Sequence, residues 1–245
     1  MSRFYVPKEN VKNGKIIIDG EEAHHVLDVM RLEDDDKVVV FDGTGNEYTG
    51  FIKDTDRKSK RIVVEVVRTE TPSLESTSEI TLSQAIPKKN KMSYVVEKAT
   101  ELGVKRVIPL ITERTIVRPD KASCARKVQR WRKTATQSSK QCGRSDIPEI
   151  TEITSYKDMA ESLDGYDLVL FAHLAKETIS IKEAITGFKA GKILLFIGPE
   201  GDFTPEEVKL LRKDNVRFIS LGRRVLRSDT AGLFALSVLS YEFSF

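Results

Sequence analysis

Cysteine is scarce in this sequence: Cys124 and Cys142 are the only two in 245 residues, with no CxxC and no Cys/His cluster. That pattern excludes a disulfide framework, argues against a structural zinc site and suits a reducing cytoplasm. No apolar run approaches the roughly 20 residues that span a bilayer. The start, MSRFYVPKEN, lacks a basic segment followed by an apolar one, so no signal peptide is expected. The phosphate-binding loops GxGxxG and GxxxxGK(S/T) are missing too. Asp34, Asp35 and Asp36 lack EF-hand spacing and read as a solvated turn, so no metal is expected. There is neither an internal repeat nor a low-complexity tract. What remains is 40% hydrophobic and 31% charged, enough for one or two domains with real cores.

The first 70 residues read as short β-branched or aromatic strands: RFYV, KIII, KVVVFD, EYTGFIK and RIVVEVV. Asn13-Gly14, Asp42-Gly43 and Gly45-Asn46 punctuate them. One helix interrupts, with Ala23, Val26, Leu27 and Met30 on a single stripe; its His24 and His25 read as ordinary helix residues. A small barrel is expected over 1–70. Residues 71–78, polar and containing Pro72, are the linker candidate. From 79 to 245 the pattern becomes strand–helix alternation, with apolar runs EITLSQAI, VKRVIPLI, DLVLFA, KILLFI and VRFISL. Such alternation predicts a mostly parallel sheet covered on both faces, an α/β fold.

The formal net charge of +3 conceals an asymmetry: residues 1–72 carry net −3, residues 73–150 net +8. Between Arg114 and Arg144 ten basic residues face one acidic residue, Asp120. A charged helix is usually a solvated face, but this imbalance asks for a polyanion. Trp131 sits among these charges. With Ala125, Val128 and Ala135 at helical spacing it reads as a core anchor, with base stacking as the alternative.

Two loops carry the chemistry. In KILLFIGPEGDFTPEE a strand meets a glycine turn and then a helix, with Thr204 as N-cap, Pro205 at the first helical position and Glu207 completing a capping box. Glu200, Asp202, Glu206 and Glu207 would repel a phosphate by about 1 kcal/mol or more per close pair. A ligand with positive charge and no phosphate fits better, such as S-adenosylmethionine; a mere turn is the alternative. Gly201 reads as the place where backbone must approach that ligand. The second loop, LGRRVLRSDTA, places apolar Val225 and Leu226 among Arg223, Arg224 and Arg227, suited to clamping an adenine.

FIGPEGDFTPEEV and LGRRVLRSDTA resemble the two signature stretches of the bacterial 16S rRNA (uracil-N3)-methyltransferases, members of the SPOUT superfamily. RFYV, HHVLDVMRL, FDGTGNEY, EKATELGVKRVIPLITERT, RWRKTATQSSKQCGR and PEI follow in that family's order and spacing, over nearly the whole chain. Two departures stand out: Asp202 where the family commonly has a second glycine, and Ser228-Asp229 where it often has Thr-Glu.

The resemblance implies an N-terminal PUA-like β-barrel, a C-terminal α/β domain with a trefoil knot, S-adenosyl-L-methionine as cofactor and a homodimer acting on 16S rRNA or the small ribosomal subunit. Carried onto this chain, it sets the cofactor against three strand ends. The first comprises Phe171, Ala172 and His173, with a surface loop as the alternative reading of the histidine. The second comprises Ile197, Gly198, Pro199, Glu200 and Gly201. The third comprises Leu221, Gly222, Val225, Leu226, Ser228 and Thr230. Arg227 is the candidate for stabilising charge on the target uracil, with a phosphate contact or an ion pair as the alternative. Asp229 or Glu200 could accept the N3 proton, and Asp229 could instead cap the last helix. Arg3, Arg114, Arg126, Lys127, Arg130, Lys133 and Arg144 are the candidate RNA contacts. Another RNA target, or an RNA-binding assembly factor without catalysis, are the competing functions.

Overall fold

The computed structural model describes residues 3–72, 77–175, 177–211 and 214–243. The chain divides into two compact units, Met1–Ser73 with Thr136–Ile147, and Leu74–Ala135 with Pro148–Phe245.

In the first unit β1 (Arg3–Tyr5), β2 (Val11–Lys12), β3 (Lys15–Ile18), β4 (Lys37–Phe41), β5 (Glu47–Asp56) and β6 (Arg61–Glu70) form one sheet in the order β1-β4-β5-β6-β3-β2. All its pairings are antiparallel except β1 with β4. Alternation puts Ile16, Ile18, Val38, Val40, Ile52, Ile62 and Val64 on one inner face. The helix α1 (Gly20–His24) and the π-helical turn His25–Val29 cover it with Ala23, Val26 and Leu27. The stretch FDGTGNEY proves structural. Asp42 accepts hydrogen bonds from Thr44, from Asn46 at 2.9 Å and from Tyr48 at 3.0 Å. Burial alone would raise this carboxyl, but those donors outweigh it and hold it below its ordinary value.

Thr136–Ile147 belong to this unit, whereas the sequence reading places them in the C-terminal domain. Their attachments are long-range, so no local pattern marks them. Lys140 Nζ lies 2.6 Å from Glu22, and the Ile147 N–H donates to the Gly43 carbonyl at 3.0 Å. Of the expected linker, residues 73–76 lie outside the described residues; its last residue, Ser78, already pairs with Gly191.

The second unit contains β7 (Ser78–Ala85), α2 (Met92–Glu101), β8 (Arg106–Ile111), most of α3 (Lys121–Cys142), β9 (Glu149–Ile150), β10 (Thr154–Ser155), α4 (Tyr156–Glu161), β11 (Leu168–Ala172), β12 (Ile179–Ser180), α5 (Ile181–Ile185), β13 (Gly191–Ile197), α6 (Pro205–Leu210), β14 (Val216–Ser220) and α7 (Ser228–Phe243). Its strands run β10-β8-β7-β13-β11-β14-β12, with β9 also beside β8, and the pairings are parallel. The central strands are buried on both faces, as their unbroken apolar runs require. On α2 the stripe Met92, Val95, Val96 and Ala99 is buried, and Gly103 follows with φ +85°, a left-handed stop. Because β11 lies between β13 and β14, the loops leaving the carboxyl ends of all three strands converge. That is where parallel α/β sheets hold their ligands. No helix among the described residues is long and apolar enough to cross a membrane.

Candidate cofactor site of the second unit

The glycine loop after β13 is built by its own sequence. Asp202 adopts φ +58°, and its N–H donates to the Pro199 carbonyl at 3.0 Å, closing the turn. Thr204 then caps α6 with the expected capping box. Glu207 is buried and serves a further partner, accepting the Glu113 N–H at 2.8 Å. Below the loop, Phe203 packs on Phe171 with ring centroids 4.2 Å apart, and Phe171 on Phe196 at 5.6 Å. Tyr156 joins this cluster; burial pushes its phenol up, and it donates to the Glu207 carbonyl at 2.6 Å.

The loop after β14 is tied to the first through a buried relay. Ser228 Oγ donates to the Gly198 carbonyl at 2.6 Å and accepts from Gln84 Nε2 at 2.9 Å. Gln84, on β7, is fully buried, and its Nε2 also donates to the Ala85 carbonyl. A Cβ on Gly232 would stand 2.6 Å from Gln84 Oε1, so glycine is what lets α7 approach the glutamine. Three segments far apart in sequence are thereby held in one geometry.

Between the loops opens a cavity of about 470 Å³. Of the sequence-predicted cofactor residues, it is lined by Ala172, His173, Ile197, Gly198, Pro199, Glu200, Leu221, Gly222, Val225, Leu226 and Ser228, with Arg227 at its wall. Phe171, Gly201 and Thr230 do not line it. Phe171 is spent on the aromatic cluster beneath, and Thr230 lies exposed on α7. A Cβ on Gly201 would meet only Arg114 at 3.4 Å, an ordinary contact, whereas one on Gly198 would stand 2.9 Å from the buried Phe203 ring. The steric demand against protein atoms therefore falls on Gly198.

Leu174, Ala175, Asp202, Ile219, Ser220, Arg223, Arg224 and Ala231 also line the cavity and were not among the predicted cofactor residues. Asp202 could have been found, since it departs from the family pattern. Its carboxylate accepts the Leu174 N–H at 3.1 Å and lies 2.8 Å from His173 Nδ1, off the angle of a hydrogen bond. It joins the loop after β11 to the loop after β13.

The predicted RNA contacts separate into two groups. Arg114 donates to the Gly201 carbonyl at 2.7 Å and to Phe203, clamping the glycine loop. Arg3 pairs with Glu47 at 2.9 Å and lies over the Phe41 ring, and Arg144 pairs with Asp146 at 2.7 Å. These three side chains hold the protein's own structure together. Arg126, Arg130 and Lys133 are exposed on α3, with Lys127 half-buried beside them. His24, as expected, serves its own helix, paired with Asp28.

Comparison with known proteins agrees with this architecture. The RNA methyltransferase domain family matches residues 74–240, and the RNA methyltransferase PUA domain family matches residues 18–65. The chain belongs to the RNA methyltransferase family. Its relatives include the ribosomal RNA small subunit methyltransferases E of Buchnera aphidicola (30% identical; 98% of this chain, 93% of the relative) and of Bacillus subtilis (28%; 99% and 97%). A crystal structure of a ribosomal RNA small subunit methyltransferase E from Neisseria gonorrhoeae bound to S-adenosyl methionine superimposes with TM-score 0.86 at 25% identity, covering 99% of this chain and 98% of that one.

Proposed function

We propose that this chain is an S-adenosylmethionine-dependent methyltransferase that modifies N3 of a uridine in the decoding region of 16S rRNA. The observation that carries the reading is the cavity between the loops 197–202 and 219–228, at the carboxyl ends of parallel strands. Its chemistry fits the cofactor. Ile197, Ile219, Val225 and Leu226 offer apolar surface for adenine. Glu200 and Asp202 would offset the ammonium and sulfonium charges, and Arg223 and Arg224 would suit the carboxylate. When bound, S-adenosylmethionine supplies an electrophilic methyl group.

The protein's share is orientation and charge. The relay Gln84–Ser228–Gly198 fixes the two loops, which is what an in-line approach of uracil N3 demands. The uracil edge must be unpaired or flipped out to be reached. As N3 loses its proton, negative charge grows on O2 and O4, and Arg227, exposed at the cavity wall, stabilises it. For the proton acceptor, Asp229 is poorly placed: Lys91 donates to both its oxygens, at 3.0 and 2.8 Å. Glu200 lines the cavity, accepts the Lys88 N–H at 3.1 Å through Oε1, which leaves Oε2 for the proton, and is our assignment. The same reading includes a trefoil knot and a homodimer in the cytoplasm. Phe234, Val238 and Tyr241 lie at i, i+4 and i+7 on α7, with Phe234 43% and Tyr241 74% exposed, a stripe that suits a second copy.

Nucleoside analysis of small-subunit rRNA from cells lacking the gene is the test. Loss of 3-methyluridine, restored by the wild-type gene, is expected. Full 3-methyluridine in the deletion strain would refute the reading.

A further inference from the structure

Asp202 stands in the left-handed region, φ +58°, where glycine is at ease and an aspartate less so. The turn itself does not need a side chain there. The Asp202 N–H closes it on the Pro199 carbonyl, and glycine would close it equally well. What the side chain adds lies outside the turn. Its carboxylate reaches back 28 residues to the loop after β11, where Oδ2 accepts the Leu174 N–H at 3.1 Å and lies 2.8 Å from His173 Nδ1. The His173 N–H is still held by the sheet, donating to the Ile219 carbonyl at 3.1 Å, so Asp202 takes hold where the chain leaves the sheet. Leu174 is 65% exposed, and with His173 and Ala175 it lines the cofactor cavity. An exposed loop has little packing to fix it, so a wall made of one depends on the few polar bonds it has.

We infer that Asp202 is a positioning residue for the cofactor: its carboxylate latches residues 173–175 to the glycine loop and so sets the cavity wall against which S-adenosylmethionine binds. It rests on the methyltransferase reading above and adds to it a residue that acts through a neighbouring loop. Ordering that loop before the ligand arrives removes an entropic cost from binding, which is how a latch raises affinity without touching the ligand. The turn and the latch make separate demands on position 202. Glycine meets the first alone, whereas asparagine tolerates the left-handed backbone and still offers the Leu174 N–H an acceptor.

The test compares wild type with Asp202→Gly and Asp202→Asn in the full-length protein. Three quantities are read: the thermal midpoint without ligand, the affinity for S-adenosylhomocysteine by isothermal titration, and the hydrogen exchange of the Leu174 amide. S-adenosylhomocysteine lacks the sulfonium charge, so its affinity reads the wall rather than attraction to that charge. Asp202→Gly relaxes the backbone while it removes the latch, so the midpoint should stay within about 3 °C of wild type. Its affinity should nevertheless fall by about 5- to 30-fold, and the Leu174 amide should exchange faster. Asp202→Asn should recover most of the affinity and of the amide protection. A glycine variant with wild-type affinity or unchanged Leu174 exchange overturns the latch, as does an asparagine variant no better than glycine. A midpoint that falls together with the affinity makes Asp202 an anchor of the fold and overturns the positioning role. Each of these leaves the methyltransferase reading standing. A wild-type protein that binds neither S-adenosylmethionine nor S-adenosylhomocysteine defeats both.

Discussion

Replacing Ser228 by alanine tests the relay that positions the cofactor loops. The hydroxyl is 5% exposed as a residue and satisfies two partners, the Gly198 carbonyl at 2.6 Å and Gln84 Nε2 at 2.9 Å. Alanine leaves the carbonyl without this donor, while Gln84 Nε2 keeps its bond to Ala85. Each buried group stranded in this way costs about 1–3 kcal/mol. The glutamine retains one acceptor, so the sum should fall near 2–4 kcal/mol, at the low end of two full penalties. For a unit of this size that corresponds to a fall of roughly 5–15 °C in thermal midpoint. Both loops line the cavity, so affinity for S-adenosylhomocysteine should fall as well. Ser228→Thr restores the hydroxyl and should recover most of both losses. Differential scanning calorimetry with and without S-adenosylhomocysteine, and isothermal titration, read the two quantities. An alanine variant within about 0.5 kcal/mol of wild type, the scatter of ordinary surface changes, would refute the relay. So would a threonine variant no better than alanine.

Gly198→Ala should abolish or severely weaken cofactor binding, because its Cβ would stand 2.9 Å from the Phe203 ring, while Gly201→Ala should keep the loop folded; isothermal titration of both variants decides, and the reverse order of damage would remove the steric argument. Arg227→Ala should cut single-turnover methylation of small subunits by about 100- to 1,000-fold, with cofactor and RNA affinities changed far less. Arg227→Lys should recover little, since a point charge cannot reproduce the planar fork; a loss confined to RNA affinity would make Arg227 a phosphate contact. Asp42 is held below its ordinary value, so its contribution to the first unit is complete above about pH 4 and is lost as pH falls through the folded value. Asp42→Asn should lower the thermal midpoint at neutral pH and flatten its decline in acid. An unchanged acid limb would mean that Asp42 carries none of it.

Much of the architecture was legible because it rests on local rules. The apolar runs of β11 and β13, the stripe of α2 with its glycine stop, and the Thr204–Glu207 capping box are all consequences of residue type at fixed short spacing. So were most of the cavity residues, because ligands of parallel sheets gather at strand ends and the two glycine loops mark those ends. The short elements β9, β10 and β12, and the helices α4 and α5, escaped notice, being too brief to show a period.

What stayed hidden depends on partners distant in sequence. A basic residue looks alike in sequence whether it clamps a distant segment or stays at the surface: Arg114 clamps the Gly201 carbonyl, Arg3 pairs with Glu47, and Arg126, Arg130 and Lys133 are exposed on α3. Phe171 at a strand end could face a ligand or the core, and the Phe203 ring 4.2 Å away settles which. Gln84 carries no motif, yet it holds Ser228 across 144 residues. Periodicity and turn chemistry act over a few residues, so composition and spacing dictate the elements and the loops between them. Which buried polar groups find each other is set by packing, where an unpaired donor is costly and distance along the chain counts for nothing.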